Sequence, residues 1–137
     1  MPHQVAYYDN VLTVRLDGRC NAQEVHQDMR SNLDTQSAPV TAILDMTLAT
    51  SFDQQLKSTF YRAFQHHYVA AVGICGVSDP VSQDINDLVS VLRRVRKVAV
   101  CETEADVRAE LGLATGDVQQ KKLSGMLAYL KKGESQN

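Results

Sequence analysis

Val40-Thr41-Ala42-Ile43-Leu44-Asp45-Met46-Thr47-Leu48-Ala49-Thr50-Ser51-Phe52-Asp53 passes from strand chemistry into helix chemistry. Residues 40–44 are short, apolar and rich in β-branched side chains, the composition of a strand covered on both faces. Asp45 marks the expected carboxyl end of that strand. Ser51 then stands before an amphipathic segment, with Gln54 as its capping partner, in which Phe52, Leu56, Phe60, Ala63 and Phe64 recur on one helical face. A doubly covered strand that leads straight into a helix is the unit of a parallel sheet, because parallel neighbours need a crossover between them.

Working outward, Val5-Ala6-Tyr7-Tyr8, a turn at Asp9-Asn10 and the alternating Val11-Leu12-Thr13-Val14-Arg15-Leu16 read as a hairpin that ends at Asp17-Gly18. Asn21, with Glu24 three residues on, opens a helix whose Ala22, Val25, Met29 and Leu33 share a face. Residues 36–39 are turn-like. Beyond the second helix, 69–77 is the most apolar stretch and reads as a central strand. Asp79 as N-cap and Pro80 then start a helix with the stripe Ile85, Leu88, Val89, Leu92 and Val95, and Arg93, Arg94, Arg96 and Lys97 suit its carboxyl end. Residues 98–101 form a last strand, and Thr103 with Asp106 caps a helix through Val107 and Leu111 that stops at Gly112. The fold class is α/β: a single sheet, mostly parallel, with an N-terminal antiparallel hairpin strand, covered by helices.

This domain takes in residues 1–112. Residues 113–137 hold a linker, an appended amphipathic helix over 118–130 and a frayed tail from 133 onward. Leu123, Met126, Leu127 and Leu130 form that helix's stripe, flanked by Lys121, Lys122, Lys131 and Lys132. It either packs on its own domain or serves as a docking helix, and a homodimer is one arrangement the stripe allows.

The chain has 137 residues, 44% of them hydrophobic and 22% charged, enough for one domain to bury a core without disulfide or metal staples. The formal net charge of −2 argues against a nucleic-acid partner, which would call for a basic patch. That total hides an imbalance, because the four lysines after Leu113 face only Asp117 and Glu134, leaving +2 there and −4 on the rest. No apolar run approaches the roughly 20 residues of a membrane span, so no membrane insertion is expected. The first residues lack the features of a signal peptide. The widely spaced Cys20, Cys75 and Cys101 suit reduced thiols in the cytoplasm.

The order of elements, with Leu16-Asp17-Gly18 and the strand end at Asp45, resembles the STAS domain, the anti-sigma-factor antagonist (SpoIIAA-like) fold, over about residues 4–112. Ile43-Leu44-Asp45-Met46-Thr47 followed by Phe52-Asp53 is similar to that family's pattern of Asp, apolar, Ser or Thr, then an apolar-Asp pair eight residues after the first Asp. In the family, Ser-Ser-Gly or Ser-Thr-Gly commonly follows at the start of the second helix, where a partner kinase phosphorylates a hydroxyl. Gln54-Gln55-Leu56 stands there instead. Glutamine has no hydroxyl, so the added charge of about −1.5 to −2 cannot be placed on it.

The resemblance implies a non-enzymatic regulatory or protein-interaction module without the usual phosphoserine switch. Its surface toward protein partners would comprise Asp45, Thr47, Thr50, Ser51, Asp53, Gln54 and Gln55. Ser51 and Thr50 are the hydroxyls placed to take a phosphate near a helix N-terminus, although a serine there is also a plain N-cap. The alternative is a carrier of the same fold that holds a small apolar or nucleotide ligand between a helix and the sheet. Phe52, Phe60, Phe64 and Tyr68 would line it, and helical spacing makes the same residues core.

Enzyme chemistry finds little footing. Cys75 lies within the most apolar strand, where a thiol is a small hydrophobe rather than a nucleophile, and core packing is the reading for Cys101 as well. His66 and His67 are expected in the last turn of the second helix, about 100° apart, and so do not share a metal. Gly73 and Gly76 lack the Gly-Lys-Ser/Thr ending of a phosphate loop, and glycine in a central strand permits close packing against a helix. The expectation is no enzyme, no metal and no cofactor.

Overall fold

The structure, a computed structural model, describes residues 3–35 and 39–113. Residues 36–38, the appended helix over 118–130 and the tail expected after it lie outside them. The described chain runs β1 (His3–Tyr8), β2 (Val11–Gly18), α1 (Ala22–Leu33), β3 (Val40–Ala49), α2 (Gln54–Ala63), β4 (Val69–Cys75), α3 (Asp79–Leu92), β5 (Lys97–Cys101) and α4 (Glu104–Glu110). Asp9 and Asn10 join β1 to β2 with φ of 55° and 63°, and Tyr8 sits opposite Val11. Two consecutive left-handed residues make a turn whose twist matches that of the strands.

The five strands stand in the order β1-β2-β3-β4-β5, with β1 and β2 antiparallel and every other pair parallel. This is the α/β sheet with a hairpin strand that the sequence leads one to expect. Each crossover advances one strand in the same direction, so right-handed connections place α1, α2 and α3 on one face. Leu12, Val14, Leu16, Ala42, Leu44, Met46, Val72 and Ile74 point to that face and meet Val25, Met29, Leu56, Phe60, Ile85 and Leu88 in the main core. α4 follows the last strand and is free of the crossover rule. It covers the other face, where Val11, Ile43, Cys75 and Val107 form a smaller cluster.

Asn21 accepts from the Glu24 N–H at 3.0 Å and Thr103 from the Asp106 N–H at 3.1 Å, so both caps are where the sequence puts them. Five local expectations need correction. β3 does not end at Asp45 but continues to Ala49, because Leu48 and Ala49 resume pairing with Asp17 and Gly18 of β2 after a register shift. Ser51 is not the cap of α2; Asp53 is, accepting from the Leu56 N–H at 2.9 Å. Phe52 therefore precedes the helix and stacks its ring on Phe60 at 5.8 Å. Ser78, not Asp79, is the N-cap of α3, and α3 stops at Leu92, leaving Arg94, Arg96 and Lys97 beyond its end. α2 likewise ends at Ala63, so His66 and His67 lie past its last turn.

Gly73 carries the packing of α4 onto the sheet, since a Cβ there would collide with the Val107 side chain and sit 3.1 Å from Leu111 Cδ1. Gly73→Ala is expected to lift α4 and lower stability by about 1–3 kcal/mol, as overpacking does, which urea unfolding would register as a lower midpoint.

Candidate functional site

Asp45 is held in the middle of β3 at 6% exposure. Its Oδ1 accepts from the Thr47 N–H at 2.9 Å and the Thr47 hydroxyl at 2.6 Å, and its Oδ2 accepts from Arg15 Nε at 3.1 Å. Burial pushes the carboxyl up, but the Thr47 hydrogen bonds and the Arg15 guanidinium outweigh it and hold Asp45 below the usual carboxylate range. Cys75 lies one strand over, in register with Asp45. Burial first, then the charges of Asp45 and Glu104, push its thiol up to about 12. A thiol so protonated is no nucleophile.

Two segments of the sequence motif therefore part company. Asp45 is buried and bonded to the exposed Thr47, while Asp53, Gln54 and Gln55 are exposed at the start of α2. Thr50 is exposed and donates its N–H to the Gly18 carbonyl at 3.1 Å, and Ser51 is half-buried. Gln54 and Gln55 open onto a groove of about 520 Å³ between α1 and α2. Ser58, Thr59 and Arg62 continue its α2 wall, and Ala22, Gln23 and His26 of α1 make the other. Amides, hydroxyls, one guanidinium and one imidazole line it, with no carboxylate among them.

The aromatic residues considered for a ligand pocket lie elsewhere. Phe60 and Phe64 are fully buried with ring centroids 5.4 Å apart, continuing the stack from Phe52. Tyr68 is half-buried, its ring 4.2 Å from that of His67. His66 and His67 stack on one another at 4.7 Å, and His66 Nδ1 accepts from the Tyr68 N–H at 3.2 Å. Among the described residues no three His, Cys, Asp or Glu side chains converge on a metal position, and no helix is long and apolar enough to cross a membrane.

No family model and no curated protein matches the chain. Solved structures do match. An uncharacterized protein from the DUF3478 family with a SpoIIAA-like fold, from Shewanella loihica PV-4, aligns with a TM-score of 0.57 at 14% identity, over 80% of this chain and 91% of its own. The chain has a SpoIIAA-like fold. The NMR structure of the protein TM1081 is similar as well, with a TM-score of 0.54 at 12% identity over 74% of this chain and 82% of its own.

At such identities the likeness is one of architecture, and the roles of side chains in this SpoIIAA-like domain rest on its own geometry. The groove's α2 wall at 54, 55, 58, 59 and 62 is a helical face beside the apolar stripe, so its spacing was present in the sequence. Its α1 wall was not readable there, because only the side-by-side packing of α1 and α2 brings Ala22, Gln23 and His26 across from it.

Proposed function

We propose that this SpoIIAA-like domain is a non-enzymatic protein-interaction module that receives a partner chain along the groove between α1 and α2, and that it works without a phosphoserine switch. The observation that carries the reading is the groove itself, open at the exposed start of α2 and lined by hydrogen-bonding side chains without a carboxylate. Such a lining offers donors to the carbonyls and acidic side chains of a polypeptide. Gln54 and Gln55 occupy the helix start where a phosphorylated hydroxyl would otherwise stand, and the Asp53 carboxylate already caps that end of α2. The buried, protonated Cys75 and the fully bonded Asp45 support a role without catalysis.

Affinity capture with the full chain as bait tests this. Gln55→Trp with Arg62→Glu fills the groove and reverses its charge at surface positions, where such changes alter stability by only about 0.5 kcal/mol. The proteins bound by the native chain are expected to be lost with the double variant while its melting temperature holds. Undiminished capture would overturn the reading, and so would phosphate mapped to Thr50, Ser51 or Ser58.

A further inference from the structure

The sheet has two edges, β1 and β5, and among the described residues β5 pairs only with β4. An open edge is a template for another strand. In a parallel ladder alternate residues aim their N–H and C=O at one neighbour and the intervening ones at the other. Thr41 donates its N–H to the Asn10 carbonyl on the β2 side, so Ala42 and Leu44 turn toward β4. Carried across the registers of β3 with β4 and β4 with β5, the alternation turns Lys97, Ala99 and Cys101 toward β4 and leaves Val98 and Val100 with outward backbone groups.

The charges around this edge are ordered. Arg93, Arg94, Arg96 and Lys97 stand at its start, and Glu102, Glu104 and Asp106 follow its end. Arg93, Arg94 and Lys97 form no salt bridge among the described residues, whereas Arg15, Arg30, Lys57 and Arg108 each face a carboxylate. Val95, 50% exposed, sits inside the basic turn.

We infer that β5 is a homodimer interface, in which two copies join their β5 strands antiparallel about a two-fold axis at Ala99. In that register Val98 of one copy faces Val100 of the other and exchanges hydrogen bonds with it; the Arg96 guanidinium is held by the Gln65 and His66 carbonyls, so the exposed Arg93, Arg94 and Lys97 are the cations left for the mate's Glu102. The basic turn of each copy meets the acidic segment of its mate at both ends. A parallel arrangement would set like charges together, and the two-fold contact is isologous and closes. The other edge strand, β1, contains no Lys, Arg, Asp or Glu to fix such a register. None of the groove residues belongs to β5, α3 or α4, so the dimer and the groove stand or fall separately.

Analytical ultracentrifugation of the full chain tests the dimer. A dimer is expected at about 100 μM, a concentration at which even weak specific pairs associate. Val100→Pro removes an outward N–H and no bond to β4, and is expected to sediment as a folded monomer. Arg94→Glu and Glu102→Lys are each expected to weaken self-association about tenfold or more, and mixing the two variants to restore dimers, because each then offers the charge the other lacks. A native chain that stays monomeric overturns the inference. So does a dimer that survives Val100→Pro and in which mixing the charge variants has no effect, an outcome that places the contact elsewhere, such as in residues 114–137.

Discussion

Gly76→Ala is expected to lower the unfolding free energy by about 2–5 kcal/mol, the sum of two separate costs. Gly76 has φ of +71°, a left-handed conformation in which an L side chain costs about 1–2 kcal/mol. A Cβ there would also lie 2.7 Å from both Cα and N of Thr47, with the Thr47 hydroxyl closer still. Backbone cannot swing aside as the tip of a side chain can, so β3 must shift, and overpacking of this kind adds about 1–3 kcal/mol. The shift falls on the residue whose N–H and hydroxyl hold Asp45. Gly112 supplies the control, because its φ is +75° but no atom of the described residues lies within 4 Å of its would-be Cβ. Gly112→Ala is expected to show the conformational cost alone. Urea unfolding of both variants, with equal midpoints as the contrary result, measures the difference.

Asp45→Ala is expected to cost about 2–4 kcal/mol at neutral pH, since it leaves Arg15 Nε and the Thr47 donors without their acceptor, Glu104 at 3.9 Å remaining as the carboxylate for Arg15. Arg15 is 45% exposed and recovers some hydration, which keeps the loss below that of a fully buried pair. The sign of the pH dependence follows from the depressed carboxyl. Asp45 titrates lower in the folded chain than its unfolded value of about 3.9, so its contribution is complete above that value and is lost as pH falls through the folded pKa. The native chain should therefore lose stability on acidification below about pH 4, and Asp45→Asn should lose less over the same window. Urea unfolding between about pH 2.5 and 7 checks this, and parallel curves for the two proteins would remove Asp45 from the account.

The motif around Asp45 was legible as a motif and misread as a place. Its spacing to Asp53 pointed to the SpoIIAA-like fold, yet the residue itself is a buried anchor where an exposed strand end was expected. The extra length of β3 arises from pairing with Asp17 and Gly18, about thirty residues away in sequence, and no local pattern encodes a ladder that resumes after a register shift. The cap of α2 moved from Ser51 to Asp53 for a related reason. Phe52 is drawn into the core against Phe60 before the helix begins, and burial of that ring outranks the local preference of a serine.

Local residue patterns are enough to set the alternation of strands and helices, the hairpin turn at Asp9-Asn10, the caps at Asn21 and Thr103, and the absence of a hydroxyl at Gln54 and Gln55. These are properties of neighbouring residues, fixed by side-chain periodicity and by which backbone conformations each residue tolerates. Packing between distant segments set α4 on the opposite face, brought Arg15 and Thr47 onto Asp45 beside Cys75, and left a polar groove between α1 and α2. It also placed two valines on a strand that pairs on one side only among the described residues, between a basic and an acidic end. Each of these depends on strands and helices distant in sequence coming into register, and that register is set by the burial of the whole core rather than by any one segment.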